Sequence, residues 1–273
     1  MQMSPGQNPP DLLPQVSHIV AVSSGKGGVG KSTVSVNLSV ALSRSGKAVG
    51  LLDADIYGPN LPMMMGVKEQ PEAADGNKIK PLESHGVKLM SLGLIAGEDT
   101  PVIWRGPIVG KMIQQFLVGV AWGALDYLVV DLPPGTGDAQ LTLAQTVPLG
   151  GALIVTTPQI IALEDVTRSV EMFRKVDVPI IGVIENMAHF ICPCCGDRTP
   201  IFGEGGGQEI ANHFDIPLLG SIPLLPDIRE SGDRGSPVAC GNSDASRTFA
   251  DIARSTVDQV DRFDAPGPQI SIS

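Results

Sequence analysis

The stretch that decides the fold of this chain is Gly25-Lys26-Gly27-Gly28-Val29-Gly30-Lys31-Ser32. It fits the pattern G-x-x-x-x-G-K-[ST], follows an apolar run and opens a stretch of helical character, which is the context of a phosphate-binding loop. Glycines allow backbone N–H groups to turn towards phosphate oxygens, and the helix start adds the positive end of its dipole. We expect Lys31 to reach the β- and γ-phosphates of ATP and the Ser32 hydroxyl to ligate Mg²⁺. A Gly-rich turn without a ligand is the alternative.

Outward from this loop, apolar runs alternate with helix-like stretches along the chain. Most runs are continuously apolar, as strands buried on both faces are. The alternation predicts an α/β fold, a doubly wound, mostly parallel sheet with helices on both faces. The expected strands are 18–22, 48–52, 87–92, 127–130, 152–155, 180–184 and 218–222, and the expected helices are 31–45, 107–120, 138–146, 164–176, 207–214 and 244–263.

The size of the chain favours a single domain. With 273 residues, 42% of them hydrophobic, the chain is long enough for one large α/β core. We expect a flexible Pro-rich tail over 1–16, one nucleotide-binding domain over 17–263 with a metal-binding loop near 192–195, and a C-terminal tail over 264–273. The segment 56–100 is richer in Met, Pro and Gly and resembles an insertion, with a hairpin as one option.

Charge and hydropathy narrow the class of partner. The net charge of −10 and the lack of any Lys/Arg run argue against a broad nucleic-acid surface. The N-terminus has neither a basic region nor an apolar region of the kind found in signal peptides. No apolar run reaches the ~18 residues of a membrane span. The sequence therefore predicts a cytoplasmic protein with no nucleic-acid or membrane partner.

Lys26 makes the phosphate loop unusual. The pattern K-G-G-x-G-K-[ST] resembles the deviant loop of the SIMIBI class of ATPases, which includes MinD, ParA and the nitrogenase iron protein. The resemblance implies that Lys26 reaches across a dimer to the partner's ATP. A lysine placed there neutralises charge that develops on the transferred phosphoryl group. A solvated surface lysine is the alternative.

Two acidic segments follow predicted strands. Asp53 and Asp55 come after 48–52, and Asp131 comes after 127–130 and opens the segment 131–138. Ligands of a doubly wound sheet bind at the carboxyl ends of its strands, so both segments converge on the loop. The class resemblance assigns Asp55 to the attacking water, Asp53 and Asp131 to Mg²⁺ directly or through its waters, and Gly135 to the hinge of a γ-phosphate switch. Helix capping or turn formation is the alternative for each aspartate.

Asn186 follows the predicted strand 180–184. The class resemblance implies that an Asn here reads the adenine edge, which suits an amide because it offers both a donor and an acceptor. A turn-forming Asn is the alternative. Together the expected nucleotide-binding residues are Gly25, Lys26, Gly27, Gly28, Val29, Gly30, Lys31, Ser32, Thr33 and Asn186, and the expected catalytic residues are Lys26, Lys31 and Asp55.

Three of the four cysteines lie in Cys192-Pro193-Cys194-Cys195-Gly196. A local group of thiols in a reducing compartment indicates metal or redox chemistry. Cys192 and Cys195 supply two thiolates, whereas a [4Fe–4S] cluster needs four, and a twofold dimer would complete the set. A zinc site with four cysteines shared by a dimer, a redox disulfide and a turn with incidental thiols are the alternatives.

The run from Glu185-Asn186-Met187 into C-P-x-C resembles the Mrp/ApbC family of iron–sulfur cluster carriers. The segments 53–60, 104–107, 131–138 and 201–203 match the same family, and the resemblance covers about residues 17–262. It implies a homodimeric, slow ATPase that holds a [4Fe–4S] cluster between its subunits through Cys192 and Cys195. It also implies a cluster donor and apo-proteins that receive the cluster. Cys194 departs from the family pattern as an extra thiol, which leaves the ligand assignment open.

Two rival functions differ in testable features. A MinD/ParA-type positioning ATPase predicts a basic amphipathic C-terminal helix or a basic face, and no cysteine pair. Residues 258–264 of this chain are instead acidic. A zinc-stabilised, nucleotide-dependent binding module predicts zinc without iron or sulfide at the cysteines.

Overall fold

The computed structural model describes residues 13–264, except for 56–57, 77, 92, 97–105, 136, 138–139, 142–143, 146, 148 and 160–161. Its strands are β1 (Val16–Ser23), β2 (Val49–Asp53), β3 (Ala73–Ala74), β4 (Lys78–Ile79), β5 (Leu82–Ser84), β6 (Val87–Ser91), β7 (Leu125–Asp131), β8 (Gly151–Thr156), β9 (Ile180–Glu185), β10 (Phe190–Ile191), β11 (Arg198–Thr199) and β12 (Leu218–Ser221). Its helices are α1 (Lys31–Arg44), α2 (Leu61–Met64), α3 (Gly93–Ala96), α4 (Gly106–Gly119), α5 (Ala162–Lys175), α6 (Gly206–Phe214), α7 (Pro226–Asp233) and α8 (Asp244–Asp264).

Within the described residues, the central sheet has eight strands in the order β12-β9-β8-β1-β7-β2-β6-β5. Neighbouring strands run parallel except at one edge, where β5 pairs antiparallel with β6. The order reverses on either side of β1, as it does in a doubly wound sheet. The predicted fold class is therefore confirmed.

Helices cover both faces of this sheet. Along β1, Val20 and Val22 belong to one apolar core, and Ile19 and Ala21 belong to the other. Buried residues of α1 and α8 complete the first core, and those of α4, α5 and α6 complete the second. Because each strand must be apolar on both faces, its sequence is a continuous apolar run without alternation.

Smaller elements differ from the expectations. Helix α7 was not predicted, because it has only eight residues and its buried positions, Ile228, Ser231 and Gly232, give a weak apolar pattern. The segment 56–100 does carry hairpins, β3–β4 and β5–β6, but its strand β6 belongs to the central sheet. The expected helix 138–146 lies largely outside the described residues, as do residues 1–12 of the expected tail.

The strands that carry the predicted site end at one edge of the sheet. The parallel register places Asp53 of β2 beside Asp131 of β7, and Asp131 beside Val22 of β1. The phosphate loop follows β1 and leads into α1 at Lys31. The loop and both aspartates therefore meet at the carboxyl ends of neighbouring central strands.

Candidate functional site

The phosphate loop depends on Gly30, for reasons of space as well as of backbone conformation. Gly30 has φ +82°, in the left-handed region, and its carbonyl accepts a hydrogen bond from the Val34 N–H at 3.0 Å. A Cβ atom at Gly30 would lie 2.1 Å from Nδ2 of Asn186. Any other residue would therefore strain the loop and displace the Asn186 side chain.

Asn186, which directly follows β9, holds the phosphate loop. Its Nδ2 donates to the Val29 carbonyl at 2.8 Å, and its backbone N–H donates to the Thr156 carbonyl at 2.8 Å. The side chain is buried. This contact gives Asn186 a structural role that sequence reasoning did not anticipate, and its contact with adenine stays a prediction.

Asp131 contacts three polar side chains beneath the phosphate loop. Its Oδ2 lies 2.8 Å from Nζ of Lys31 and accepts a hydrogen bond from the Ser32 hydroxyl at 2.7 Å. Its Oδ1 accepts a second one from the Ser35 hydroxyl at 2.6 Å. Lys31 and Asp131 are both buried, and a buried carboxylate needs such partners. The structure thus brings together three of the residues predicted to handle phosphate and Mg²⁺.

Asp53 lies next to Asp131, and its carboxyl group has an unusual pKa. Its Oδ2 accepts from the Ser91 hydroxyl at 2.9 Å, and its Oδ1 accepts from the Asp55 N–H at 3.1 Å. Burial, followed by the charge of Asp131, raises its pKa from 3.8 to about 7. Two adjacent buried carboxylates repel each other, and a divalent cation between them would remove that cost. The donor set of Ser32, Asp53 and Asp131 fits Mg²⁺, which prefers oxygen ligands.

We expect Asp53→Asn to stabilise the metal-free protein at pH 8. The folded state holds the Asp53 proton more tightly than the unfolded chain, so this group lowers the unfolding free energy as pH rises from about 4 to about 7. The loss is on the order of 2–4 kcal/mol, and the Asn variant lacks it. Urea unfolding in EDTA across this pH range measures the effect, with exposed Asp251→Asn as control. Parallel pH profiles of wild type and Asp53→Asn would contradict it.

A cavity of about 600 Å³ opens above the loop. Asp55 lines it, with its Oδ2 3.9 Å from Nζ of Lys31, and its role towards an attacking water stays a prediction. The predicted residues 26–33 and Asn186 line it as well, whereas the part of the wall that comes from α2, from α7 and from the segment leading into α7 was missed by sequence reasoning. That part of the lining includes Met63, Met64, Pro223, Leu224, Leu225 and Ile228.

Lys26 contacts its own chain. Its Nζ donates to Oε1 of Gln159 at 2.8 Å, and its carbonyl accepts from the Ser24 hydroxyl at 2.9 Å. Gly135 of the predicted switch has φ +89° and donates its N–H to the Ser24 carbonyl at 3.1 Å. The switch segment therefore contacts the loop beside Lys26, and the reach of Lys26 into a partner stays a prediction.

Cys192, Cys194 and Cys195 lie on a hairpin formed by β10 and β11, and Cys192 is six residues after Asn186. The Cys192 N–H donates to the Asp197 carbonyl at 3.0 Å, and the Gly196 N–H donates to the Cys192 carbonyl at 2.9 Å. Cys192 is half-buried, and Cys194 and Cys195 are exposed. Hydrogen bonds from the backbone of Cys195, and then of Cys194, lower the pKa of the Cys192 thiol. Such a turn suits a thiolate that binds metal.

Among the described residues, no group of three or more His, Cys, Asp and Glu side chains is arranged to hold a metal ion. Within the same part of the chain, no helix combines the length and the apolar character needed to cross a bilayer.

Known proteins resemble this chain over most of its length. An iron-sulfur cluster carrier protein of Aquifex aeolicus is 52% identical over 246 residues, which are 89% of this chain and 68% of that protein. The iron-sulfur cluster transfer protein NUBPL of Dictyostelium discoideum is 48% identical over 250 residues, 90% of this chain and 77% of that protein.

Solved structures resemble the fold described above. A nucleotide-binding protein from Archaeoglobus fulgidus, in complex with ADP, has a TM-score of 0.73 and 41% identity over 81% of this chain and 87% of that one. MinD of Pyrococcus horikoshii, in complex with Mg-ADP, has a TM-score of 0.65 and 25% identity over 89% of this chain and 97% of that one. The family described as ParA, NUBPL iron-transfer P-loop NTPase, matches residues 15–257, and the chain belongs to this family.

Proposed function

We propose that this protein is an ATP-hydrolysing carrier that holds a [4Fe–4S] cluster between two subunits and transfers it to apo-proteins. The observation that carries the proposal is the position of the cysteine hairpin. Cys192 lies six residues after Asn186, and the Asn186 side chain donates a hydrogen bond to the phosphate loop. The thiolate turn and one residue of the nucleotide site thus lie on one short segment, and the names of the relatives agree with that combination.

Each side chain of the nucleotide site has a separate proposed role. Lys31 binds the β- and γ-phosphates, in competition with its present ion pair to Asp131 at 2.8 Å. Ser32, Asp53 and Asp131 would hold Mg²⁺, which would neutralise part of the phosphate charge. Asp55 orients the attacking water. Backbone N–H groups of the loop bind the phosphates, and the wall formed by Leu225 and Ile228 contacts the base of the nucleotide.

The cargo site requires a second copy of the chain. Cys192 and Cys195 provide two of the four thiolates of a [4Fe–4S] cluster, and a twofold axis through the hairpins provides the others. Lys26 requires the same partner, because its proposed target is the partner's ATP. A homodimer therefore completes both sites at once, which links nucleotide state to cluster binding.

The cellular setting follows from the chemistry of the site. Thiolates that receive and release an iron–sulfur cluster need a reducing compartment, which supports a cytoplasmic location. The partners are a cluster donor and apo-proteins with vacant thiolates. A MinD/ParA-type positioning role would need a membrane or DNA surface, whereas the cysteine hairpin has no place in that function.

Anaerobic reconstitution with iron and sulfide tests the proposal. We expect about four iron and four sulfide per dimer, a visible charge-transfer absorbance and a dimeric mass. On mixing with an apo-ferredoxin the absorbance should pass to the recipient, and the transfer rate should depend on ATP. Zinc bound without iron or sulfide would instead indicate the zinc-stabilised binding module, and a loaded protein that never releases its cluster would refute the carrier role.

A further inference from the structure

Gln159 contacts the lysine that distinguishes this phosphate loop. Oε1 of Gln159 accepts a hydrogen bond from Nζ of Lys26 at 2.8 Å, and both side chains are half-buried. We propose that Gln159 is a positioning residue that retains Lys26 within its own subunit, so that Lys26 enters the partner's nucleotide site only when this bond breaks. The inference rests on the proposed function, because it assumes that Lys26 acts in the dimer.

Hydrogen bonding and packing hold the backbone on both sides of Lys26. A change of its hydrogen-bond partner therefore requires movement of the Lys26 side chain only. The Lys26 carbonyl accepts from the Ser24 hydroxyl at 2.9 Å. Gly25 packs directly on α5, since a Cβ atom at Gly25 would lie 2.4 Å from the backbone carbon of Asp165. Rotation about the side-chain bonds of Lys26 is therefore the motion that exchanges Gln159 for a ligand outside the subunit.

The backbone that precedes Gln159 packs on the segment that follows the cysteine hairpin. The carbonyl of its neighbour Pro158 packs on Gly206, where a Cβ atom would lie 2.6 Å from that oxygen, and on Gly203 at 3.5 Å. Beside this contact is a cavity of about 670 Å³ lined by Pro158, Gln159 and Phe202, among others. Gln159 thus lies between the phosphate loop and the hairpin's own continuation, and the cavity leaves room for its side chain to move.

The chemistry of an amide suits a contact that must be broken. Lysine bonded to a neutral amide oxygen is held less strongly than lysine bonded to a carboxylate, because only the carboxylate adds the attraction between two opposite full charges. A ligand that binds Lys26 elsewhere must compete with Gln159, so the strength of this bond subtracts from dimer affinity. Weakening the bond should favour the ATP-bound dimer, and strengthening it should oppose the dimer.

Two substitutions of opposite sign test the inference. We expect Gln159→Leu to tighten ATP-dependent dimerisation about 3- to 10-fold, and Gln159→Glu to weaken it by at least as much. Analytical ultracentrifugation with a non-hydrolysable ATP analogue measures the dimer dissociation constant. The affinity of the monomer for nucleotide, measured at low protein concentration, should stay unchanged. Gln208→Leu and Gln208→Glu are the matched controls, since Gln208 is exposed and bonds only to nearby Asn212 among the side chains that the structure describes.

A double-mutant comparison separates retention of Lys26 from a general structural effect. In a Lys26→Ala background, Gln159→Leu and Gln159→Glu should leave dimerisation unchanged. An effect of Gln159→Leu that persists without Lys26, or a Gln159→Leu protein that dimerises like wild type or more weakly, would overturn the inference. If Lys26→Ala alone dimerised and hydrolysed ATP like wild type, the proposed role of Lys26 itself would fail. Impaired Lys26→Ala beside unaffected Gln159 variants would refute only the retention by Gln159.

Discussion

Cys192→Ser and Cys195→Ser are each expected to reduce cluster uptake to below about a tenth of wild type. The hydroxyl of serine stays protonated at neutral pH and is a poor ligand for iron, whereas the Cys192 thiol has a lowered pKa. Each substitution would remove two of the four thiolates of the proposed dimer, because its twofold axis repeats the change. Iron and sulfide analysis after anaerobic reconstitution, together with the visible absorbance, measures the loss.

Two further cysteine variants show whether the loss is specific. Cys194→Ser should load normally, since Cys192 and Cys195 are the proposed ligands, and Cys240→Ser is a control in the half-buried thiol outside the hairpin. Loss of the cluster in Cys194→Ser with full loading of Cys195→Ser would show that the ligand pair is Cys192 and Cys194. Normal loading of all four variants would place the cluster elsewhere.

Lys26→Ala is expected to lower ATP hydrolysis by about 10²–10³-fold while ATP still binds. Lys31 and the loop N–H groups remain to hold the phosphates, so the lost interaction is the one made with charge that develops in the transition state. The dimer promoted by ATP should weaken as well, because Lys26 is proposed to bridge the two subunits. Steady-state hydrolysis, equilibrium binding of a fluorescent ATP analogue and sedimentation measure the three effects.

Contrasting variants define what Lys26 does. Lys31→Ala should lose ATP binding itself, and exposed Lys80→Ala should match wild type in all three assays. Mixing Lys26→Ala with a chain that carries intact Lys26 but a defective nucleotide site should restore hydrolysis in the mixed dimer. Rescue requires that Lys26 act on the nucleotide of the other subunit. Absence of rescue would show that Lys26 acts on the nucleotide bound to its own chain.

Much of the fold was predictable because its determinants are local. Strands such as β8 and β9 are buried along their whole length, so each is apolar almost to its last residue. The phosphate loop was predictable because its glycines and Lys31 occupy fixed spacings. Asp53 and Asp131 were expected to meet because each follows a strand of a parallel sheet, and the register does pair them.

What could not be predicted depends on contacts between distant parts of the chain. The bond from Asn186 to the Val29 carbonyl joins residues 157 positions apart, and that from Lys26 to Gln159 joins residues 133 apart. Neither has a sequence signature, since any polar side chain of suitable reach would satisfy it. The wall from Leu225 to Ile228 was missed for a related reason, because α7 is too short for a periodic pattern.

The cysteine hairpin also determines how this protein must be handled. The Cys192 thiol, whose pKa is lowered by backbone hydrogen bonds, and the exposed thiols of Cys194 and Cys195 are expected to react with peroxide and with alkylating agents. We therefore expect purification in air to oxidise the hairpin. The same reactivity offers an occupancy assay, because iodoacetamide should label the hairpin only in molecules whose thiolates are not already engaged.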